Sequence, residues 1–207
     1  IDKPRSLGLS WLEAYPGQTI SPETAEKFGP EISGELRQKI RQKLDESGIR
    51  LVNFGVYNLT NDEAEARKAF EFAREMGIET IVSEPPFDAI EMLDGLCNEY
   101  KIQVAIHNHP KPSRYWDPKI VLENCKGTSK WIGACADTGH WVRSGLDPVE
   151  CLRKLEGRVR GVHLKEIENG HDVVWGSGPG RVEDILEELN RQNYSGTFSI
   201  EYEPNWE

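Results

Sequence analysis

The chain has 207 residues, 37% of them hydrophobic, enough for one sizeable core and short for two independent domains, so a single domain over 1–207 is expected. Its 35 acidic residues outnumber the 25 basic ones, and the formal charge of -10 opposes a phosphate backbone, which excludes nucleic acid as the expected partner. No apolar run approaches membrane-spanning length, and no basic start precedes a greasy segment, so neither a membrane span nor a signal peptide is read.

The four cysteines, Cys97, Cys125, Cys135 and Cys151, have no Cys-x-x-Cys spacing and lie in apolar or helical contexts. That usage suits reduced thiols in the cytoplasm better than a disulfide framework. The chain begins at Ile1 rather than Met, which is compatible with a removed leader or a shortened chain.

Residues 7–15 read as a strand carrying Glu13 and closed by Pro16-Gly17, with a polar loop rich in Pro and Gly running to about Gly34. Leu36, Ile40 and Leu44 recur at a helical period over 35–46, and Ser47-Gly48 stops the helix. Residues 49–56 are nearly continuous in β-branched and apolar side chains, as in a strand buried on both faces of a parallel sheet. Thr60 and Glu63 form the expected capping box of a helix that runs to Met76 and ends at Gly77. A strand over 78–83 finishes in Glu84-Pro85-Pro86, and a helix over 88–100 leads to a strand over 102–106 that ends in His107-Asn108-His109-Pro110. A loop with Arg114, Tyr115 and Trp116 precedes a short helix over 118–124.

The apolar run Trp131 to Ala134 leads into Cys135-Ala136-Asp137-Thr138-Gly139-His140-Trp141. A carboxylate at a strand end with an imidazole three residues later, in a turn opened by Gly139, is where a strand-to-helix loop presents metal ligands. The plainer alternative is a helix N-cap followed by a surface His. Asp147-Pro148 opens the next helix, and a strand over 158–164 carries His163 and Lys165 at its outer end, on the same face by the two-residue period of a strand. A loop over 166–180 holds Trp175-Gly176-Ser177-Gly178-Pro179-Gly180, a helix over 181–193 shows Val182, Ile185, Leu186 and Leu189 on one face, and a last strand over 197–202 carries Glu201, with Glu203 just beyond.

Short greasy strands alternating with helices require a parallel sheet with helices outside it. Two features select a closed (β/α)8 TIM barrel over an open doubly wound sheet: no Gly-x-Gly-x-x-Gly turn follows the first strand, and polar residues sit at the ends of at least five strands, as around one central mouth. The count is one strand short, so the barrel is expected to lack its first strand-helix unit and its last helix, after Glu207, or to receive them from another subunit.

The strand-end residues are Glu13, Glu84, His107, Asp137, His163 and Glu201. Singly, each is an ordinary solvated or satisfied side chain. Together, four consecutive strands ending in His107, Asp137, His163 and Glu201 place two imidazoles and two carboxylates on one arc, a donor set suited to Mn²⁺, Zn²⁺, Co²⁺ or Fe²⁺ more than to Ca²⁺ or Mg²⁺.

In order and spacing, Asp137-Thr138-Gly139-His140, Gly161-Val162-His163-Leu164-Lys165, Trp175-Gly176-Ser177-Gly178 and Phe198-Ser199-Ile200-Glu201 resemble the xylose isomerase-like barrels, which include sugar isomerases, ketose 3-epimerases and the endonuclease IV type of repair enzyme. The resemblance runs from Leu7 onward. For the epimerase branch it implies a divalent metal on Glu, Asp, His and Glu of four successive strands; the last three fall on Asp137, His163 and Glu201, and the first falls on His107, where this chain departs from the pattern. The nuclease branch needs an Asp-x-His pair after the His163 strand, and this chain offers His171-Asp172 in reverse order.

The resemblance thus implies a metal-dependent isomerase or epimerase of a small sugar, with Glu201 taking a proton beside a carbonyl, Lys165 holding the resulting enediolate, and Glu84 or His109 supplying the second proton carrier in place of the lost carboxylate. His109, His140, Trp141, Arg143 and Trp175 are the candidate substrate contacts, although the aromatic side chains, Tyr115 and Trp116 included, serve equally as packing. A lyase or hydratase acting on a keto sugar shares the same chemistry up to the enediolate, and a non-catalytic carbohydrate-binding barrel is the remaining alternative. An unphosphorylated substrate, no membrane partner and a possible homo-oligomer complete the expectations.

Overall fold

The structure, a computed structural model, describes residues 1–203 and divides into two compact units, Ile1–Val104 and Ala105–Glu207. The first opens with a short helix, α1 (Asp2–Ser6), and then alternates β1 (Trp11–Ala14), α2 (Gly34–Ser47), β2 (Arg50–Phe54), α3 (Glu63–Met76), β3 (Thr80–Ser83), α4 (Ile90–Tyr100) and the start of β4 (Gln103–His107). Its strands follow chain order, β1-β2-β3-β4. Pairing is parallel, with Leu12 opposite Leu51 and Asn53 opposite Thr80. Four of the five β2 residues are buried, as the apolar run predicts. Phe28, Phe54 and Phe72 fill the space between sheet and helix with ring centroids 5.4–5.6 Å apart, edge to face, each pair contributing about 0.5–1.5 kcal/mol beyond its buried area.

Gly48 and Gly77 end α2 and α3 in the left-handed conformation that the sequence led us to expect. The start of α3 differs. Asp62, not Thr60, is the N-cap, accepting from the amides of Ala64 at 2.9 Å and Glu65 at 3.2 Å, while the Thr60 hydroxyl accepts from the Asp62 amide. A carboxylate answers the positive end of a helix more strongly than a hydroxyl does. The first strand is also shorter than expected. Its neighbour β2 is engaged from Ser10 onward, through Arg50 N–H to the Ser10 carbonyl, and Leu7 and Leu9 stay exposed.

The second unit continues from the end of β4 through α5 (Pro118–Asn124), β5 (Ile132–Asp137), α6 (Thr138–Arg143), α7 (Pro148–Lys154), β6 (Val159–Leu164), β7 (Glu166–Glu168), β8 (His171–Val173), α8 (Val182–Arg191) and β9 (Phe198–Ile200). Here the sheet order is β4-β5-β6-β9. All six residues of β5 are buried. Gly133 is required there by close approach, because a Cβ would lie 2.0 Å from the Arg158 carbonyl oxygen. Asp147 caps α7 with Pro148 in its first turn, as the sequence predicts.

Three segments depart from the sequence reading. The expected loop over 166–180 contains an antiparallel hairpin, β7 with β8, turned by Asn169 and Gly170, both at positive φ. The turn expected at Gly139 is already inside α6, which starts directly after Asp137. The last strand spans three residues rather than six. All four cysteines are buried, and burial raises the Cys151 thiol to about 12.

Strand followed by helix, with parallel pairing in each unit, is the repeat of a TIM barrel. The last helix expected after Glu207 lies outside the described residues. Among those residues no helix is long and apolar enough to cross a membrane.

Candidate metal centre at the strand ends of the second unit

Three strand termini and one residue beyond a fourth carry the polar side chains. β4 ends in His107, β5 in Asp137, β6 one residue past His163, and Glu201 follows β9. Parallel register does the alignment: Asp137 stands opposite His163, Leu164 opposite Ile200, and the Glu201 amide donates to the Leu164 carbonyl at 3.1 Å. Asn108 fastens β4 to β5, donating to the Asp137 carbonyl at 3.0 Å and accepting from the Asp137 amide at 2.9 Å. The result is that His107, Asp137, His163 and Glu201 each offer one ligand atom, all within 4.8 Å of one another.

Two carboxylate oxygens of these residues bear on what the arrangement could hold. Asp137 Oδ2 and Glu201 Oε2 are buried and accept no hydrogen bond. Around Asp137 Oδ2 stand His107 Nε2 at 3.6 Å, His140 Nε2 at 3.7 Å and Lys165 Nζ at 3.4 Å, and Glu201 Oε2 lies 2.9 Å from His163 Nδ1 without hydrogen-bond alignment. Buried carboxylate oxygens are costly unless a cation or donor satisfies them. Two carboxylates and two imidazoles facing one point are a donor set that fits a divalent transition metal.

Charge is arranged accordingly. Burial alone would raise the Asp137 carboxyl; His107, His140 and Lys165 more than reverse that and hold it well below the usual carboxylate range. For Glu201 burial again opposes ionisation, and the adjacent His163 outweighs it, leaving the group at about 2. Burial pushes the His140 imidazole down to about 3, so it is neutral at pH 7. Lys165, with a fully buried side chain, is disfavoured as an ammonium by burial, yet Asp137, Glu201 and Glu203 raise it above its ordinary value. Its Nζ lies 2.6 Å from Glu203 Oε2 and 3.5 Å from Glu201 Oε1.

The two oxygens of Asp137 face different groups. Its Oδ1 accepts from the His140 amide at 2.7 Å and so caps α6, and its Oδ2 turns to the ligand group. His140 itself is buried, not a surface residue. Gly139 is needed for contact rather than for a turn, since a Cβ there would meet the Lys165 side chain at 2.7–2.8 Å. Thr138 stitches α6 to the end of β6 by donating to the Lys165 carbonyl at 3.0 Å and accepting from the Lys165 amide at 3.1 Å.

The His109 ring lies 4.5 Å from that of His107, edge to face, and 5.2 Å from that of His140, tilted, centroid to centroid. Trp141 is buried, with an indole N–H that makes no hydrogen bond. Arg143 is nearly buried and paired to Asp172, with Nη1 3.1 Å from His140 Nδ1. Trp175 is half-buried in the loop after β8, and Glu84, half-buried, follows β3 in the first unit. Tyr115 is fully buried. The Trp175 loop is held by Glu166, itself buried, which accepts from the amides of Gly176 and Gly180, both at 2.6 Å. Asn108, Thr138, Asp172 and Glu203 were not singled out from the sequence as site residues; the signal available for the first two was a polar residue inside a strand-end motif.

The family described as the xylose isomerase-like TIM barrel matches residues 1–207. An inosose dehydratase of Bacillus thuringiensis (strain Al Hakam) is 26% identical across 56% of this chain and 45% of its own length, so the chain spans about half the length of the curated relatives it matches. A crystal structure of an uncharacterised protein from Parabacteroides distasonis ATCC 8503 is 33% identical, with a TM-score of 0.78 over 97% of this chain and 82% of that one. A D-tagatose 3-epimerase-like protein is similar in fold, with a TM-score of 0.76 over 98% of this chain and 85% of that one, at 20% identity.

Proposed function

Since the chain belongs to the xylose isomerase-like TIM barrel family, we propose that it is a divalent-metal-dependent sugar isomerase or epimerase that moves a proton at the carbon beside a carbonyl. The observation that carries this reading is the convergence of four possible ligand atoms within 4.8 Å, from residues whose two carboxylates each keep a buried oxygen that accepts no hydrogen bond. His107, Asp137, His163 and Glu201 would hold the ion, with Mn²⁺, Zn²⁺ or Co²⁺ suited to the mixed donor set. Bound there, it supplies Lewis acidity toward a substrate carbonyl.

The chain's own residues do the rest. Glu201, ionised through the neutral range and one-third exposed, takes the proton. The Lys165 ammonium, fixed by Glu203 and Asp137, sits where it stabilises negative charge developing on substrate oxygens. His109 and His140, edge to face with His107, offer polar edges to sugar hydroxyls, and Trp141, Arg143 and Trp175 complete the proposed substrate surface. Glu84 is the proposed carrier that returns the proton. The substrate class is a small keto sugar, and the buried thiols favour a cytoplasmic setting.

A second reading, dehydration of a cyclic or open-chain polyol ketone, is favoured by one residue and one likeness. His107 replaces the carboxylate that the epimerase pattern puts at the first ligand position, and the curated relative above is an inosose dehydratase. Incubating metal-loaded protein with a panel of keto sugars and an inosose in D₂O separates the readings. Deuterium entering the carbon beside the carbonyl without loss of water marks an isomerase or epimerase, and loss of water marks a dehydratase. Exchange that survives Glu201→Gln removes Glu201 as the base, and protein that takes up no stoichiometric metal removes both readings.

A further inference from the structure

We propose that Asp172 is a positioning residue: through Arg143 it fixes which nitrogen of His140 carries the proton, and through the Glu203 amide it holds the segment that bears Glu201. Asp172 lies on β8, opposite Ile167 in the hairpin ladder, with a side chain that has no exposure. One carboxylate oxygen takes the Arg143 guanidinium and the other accepts from the Glu203 amide at 2.7 Å. Both oxygens are therefore spent inside the chain.

The consequence for His140 follows from donor inventory. Arg143 Nη1 lies 3.1 Å from His140 Nδ1, and a guanidinium only donates, so Nδ1 accepts and the neutral ring carries its proton on Nε2. A doubly protonated ring would face the guanidinium donor to donor. The opposite demand comes from Lys165, whose ammonium lies 3.4 Å from His140 Nε2 and also only donates. A neutral imidazole cannot accept from both. Arg143 is the closer of the two and is locked by a buried ion pair, whereas Lys165 is taken up by Glu203 at 2.6 Å. Arg143 therefore decides, and His140 presents an N–H on the side of Asp137 Oδ2. A hairpin that contributes no ligand thus braces the helix that begins at one candidate ligand, Asp137, and the segment that carries another, Glu201.

The effect of His140 on a bound sugar rests on the function proposed above, but its tautomer does not, and the experiment uses that difference. Protein labelled with ¹⁵N-histidine, as purified and after loading with diamagnetic Zn²⁺, is examined by long-range ¹H–¹⁵N correlation, with His140→Gln identifying the His140 signals. The expected wild-type pattern has a protonated Nε2 and an accepting Nδ1. In Asp172→Asn and Arg143→Gln the pattern moves to the opposite tautomer or to an exchange average; the two variants carry the same test, so either one that folds by circular dichroism suffices. A wild-type His140 protonated on Nδ1 overturns the proposal, as does a folded variant that keeps the wild-type tautomer. In the D₂O exchange assay, Asp172→Asn is expected to keep its Zn²⁺ and to lose about 10- to 100-fold in rate. Wild-type protein with the expected tautomer but no exchange supports the role of Asp172 and overturns the functional reading instead.

Discussion

Asp137 and His140 meet twice: the carboxylate takes the His140 amide hydrogen at 2.7 Å with one oxygen and stands 3.7 Å from the His140 ring Nε2 with the other. One side chain thereby starts α6 and joins the proposed ligand group, and substitution separates the two tasks. Asp137→Asn retains a capping oxygen and is expected to fold with a loss of no more than about 1 kcal/mol attributable to the cap, while metal content falls to near zero. Asp137→Ala loses the cap as well, for about 1 kcal/mol more. Urea unfolding and elemental analysis of the same samples check both statements.

Gly139 is the position where helix and lysine touch. Gly139→Ala drives a methyl group into Lys165, and we expect a stability cost of about 1–3 kcal/mol from overpacking. The displaced ammonium is expected to cost about 100-fold in D₂O exchange, the scale of a misplaced group of this kind. Gly95→Ala, on the exposed face of α4 with open space around it, is the control and is expected to stabilise by about 0.5–1 kcal/mol.

Removing metal should lower the melting temperature of the wild-type protein. At free metal about 100 times the dissociation constant, binding to the folded state alone contributes about 2.7 kcal/mol. A chelator should abolish that increment, and His163→Ala should melt at one temperature with or without metal. Calorimetry in the two conditions decides; a chelator shift that persists in His163→Ala would place the ion elsewhere.

Glu188 on α8 gives a prediction remote from the site. Arg191 leads the groups that lower its carboxyl, burial opposes, and Gln192 and Arg153 assist, leaving it at about 2 against an ordinary 4.5. A folded value below the unfolded one means that the contribution is complete above pH 4.5 and is lost as pH falls toward 2. Glu188→Gln should therefore be less stable than wild type by about 1 kcal/mol at pH 7, and the gap should narrow across that acid window. Equal slopes of stability against pH in the two proteins would contradict the assignment.

The parallel strands and the four converging residues were legible because they rest on local signals: buried strands without polar interruption, and an imidazole or carboxylate at each strand end. Gly48, Gly77 and Asp147-Pro148 marked helix boundaries for the same reason, since cap chemistry involves near neighbours in sequence. The hairpin was missed although Asn169-Gly170 is a turn signal, because three-residue strands such as Glu166–Glu168 show too little alternation to stand out. Asp172 was noticed only as one of a reversed pair with His171. Its partners are 29 and 31 residues away, Arg143 and Glu203, and no spacing rule joins them before the chain is folded.

The Trp175-to-Gly180 loop has already spent two of its amides on a resident of the protein, the Glu166 carboxylate. A negatively charged substituent seeking those same two N–H groups would first have to evict a buried anion and find it another home. Gly180 deepens the commitment, because a Cβ there would lie 2.5 Å from Glu166 Oε1. Where a glycine-rich turn elsewhere greets a phosphate, this one is already answered from within by a carboxylate of the same chain.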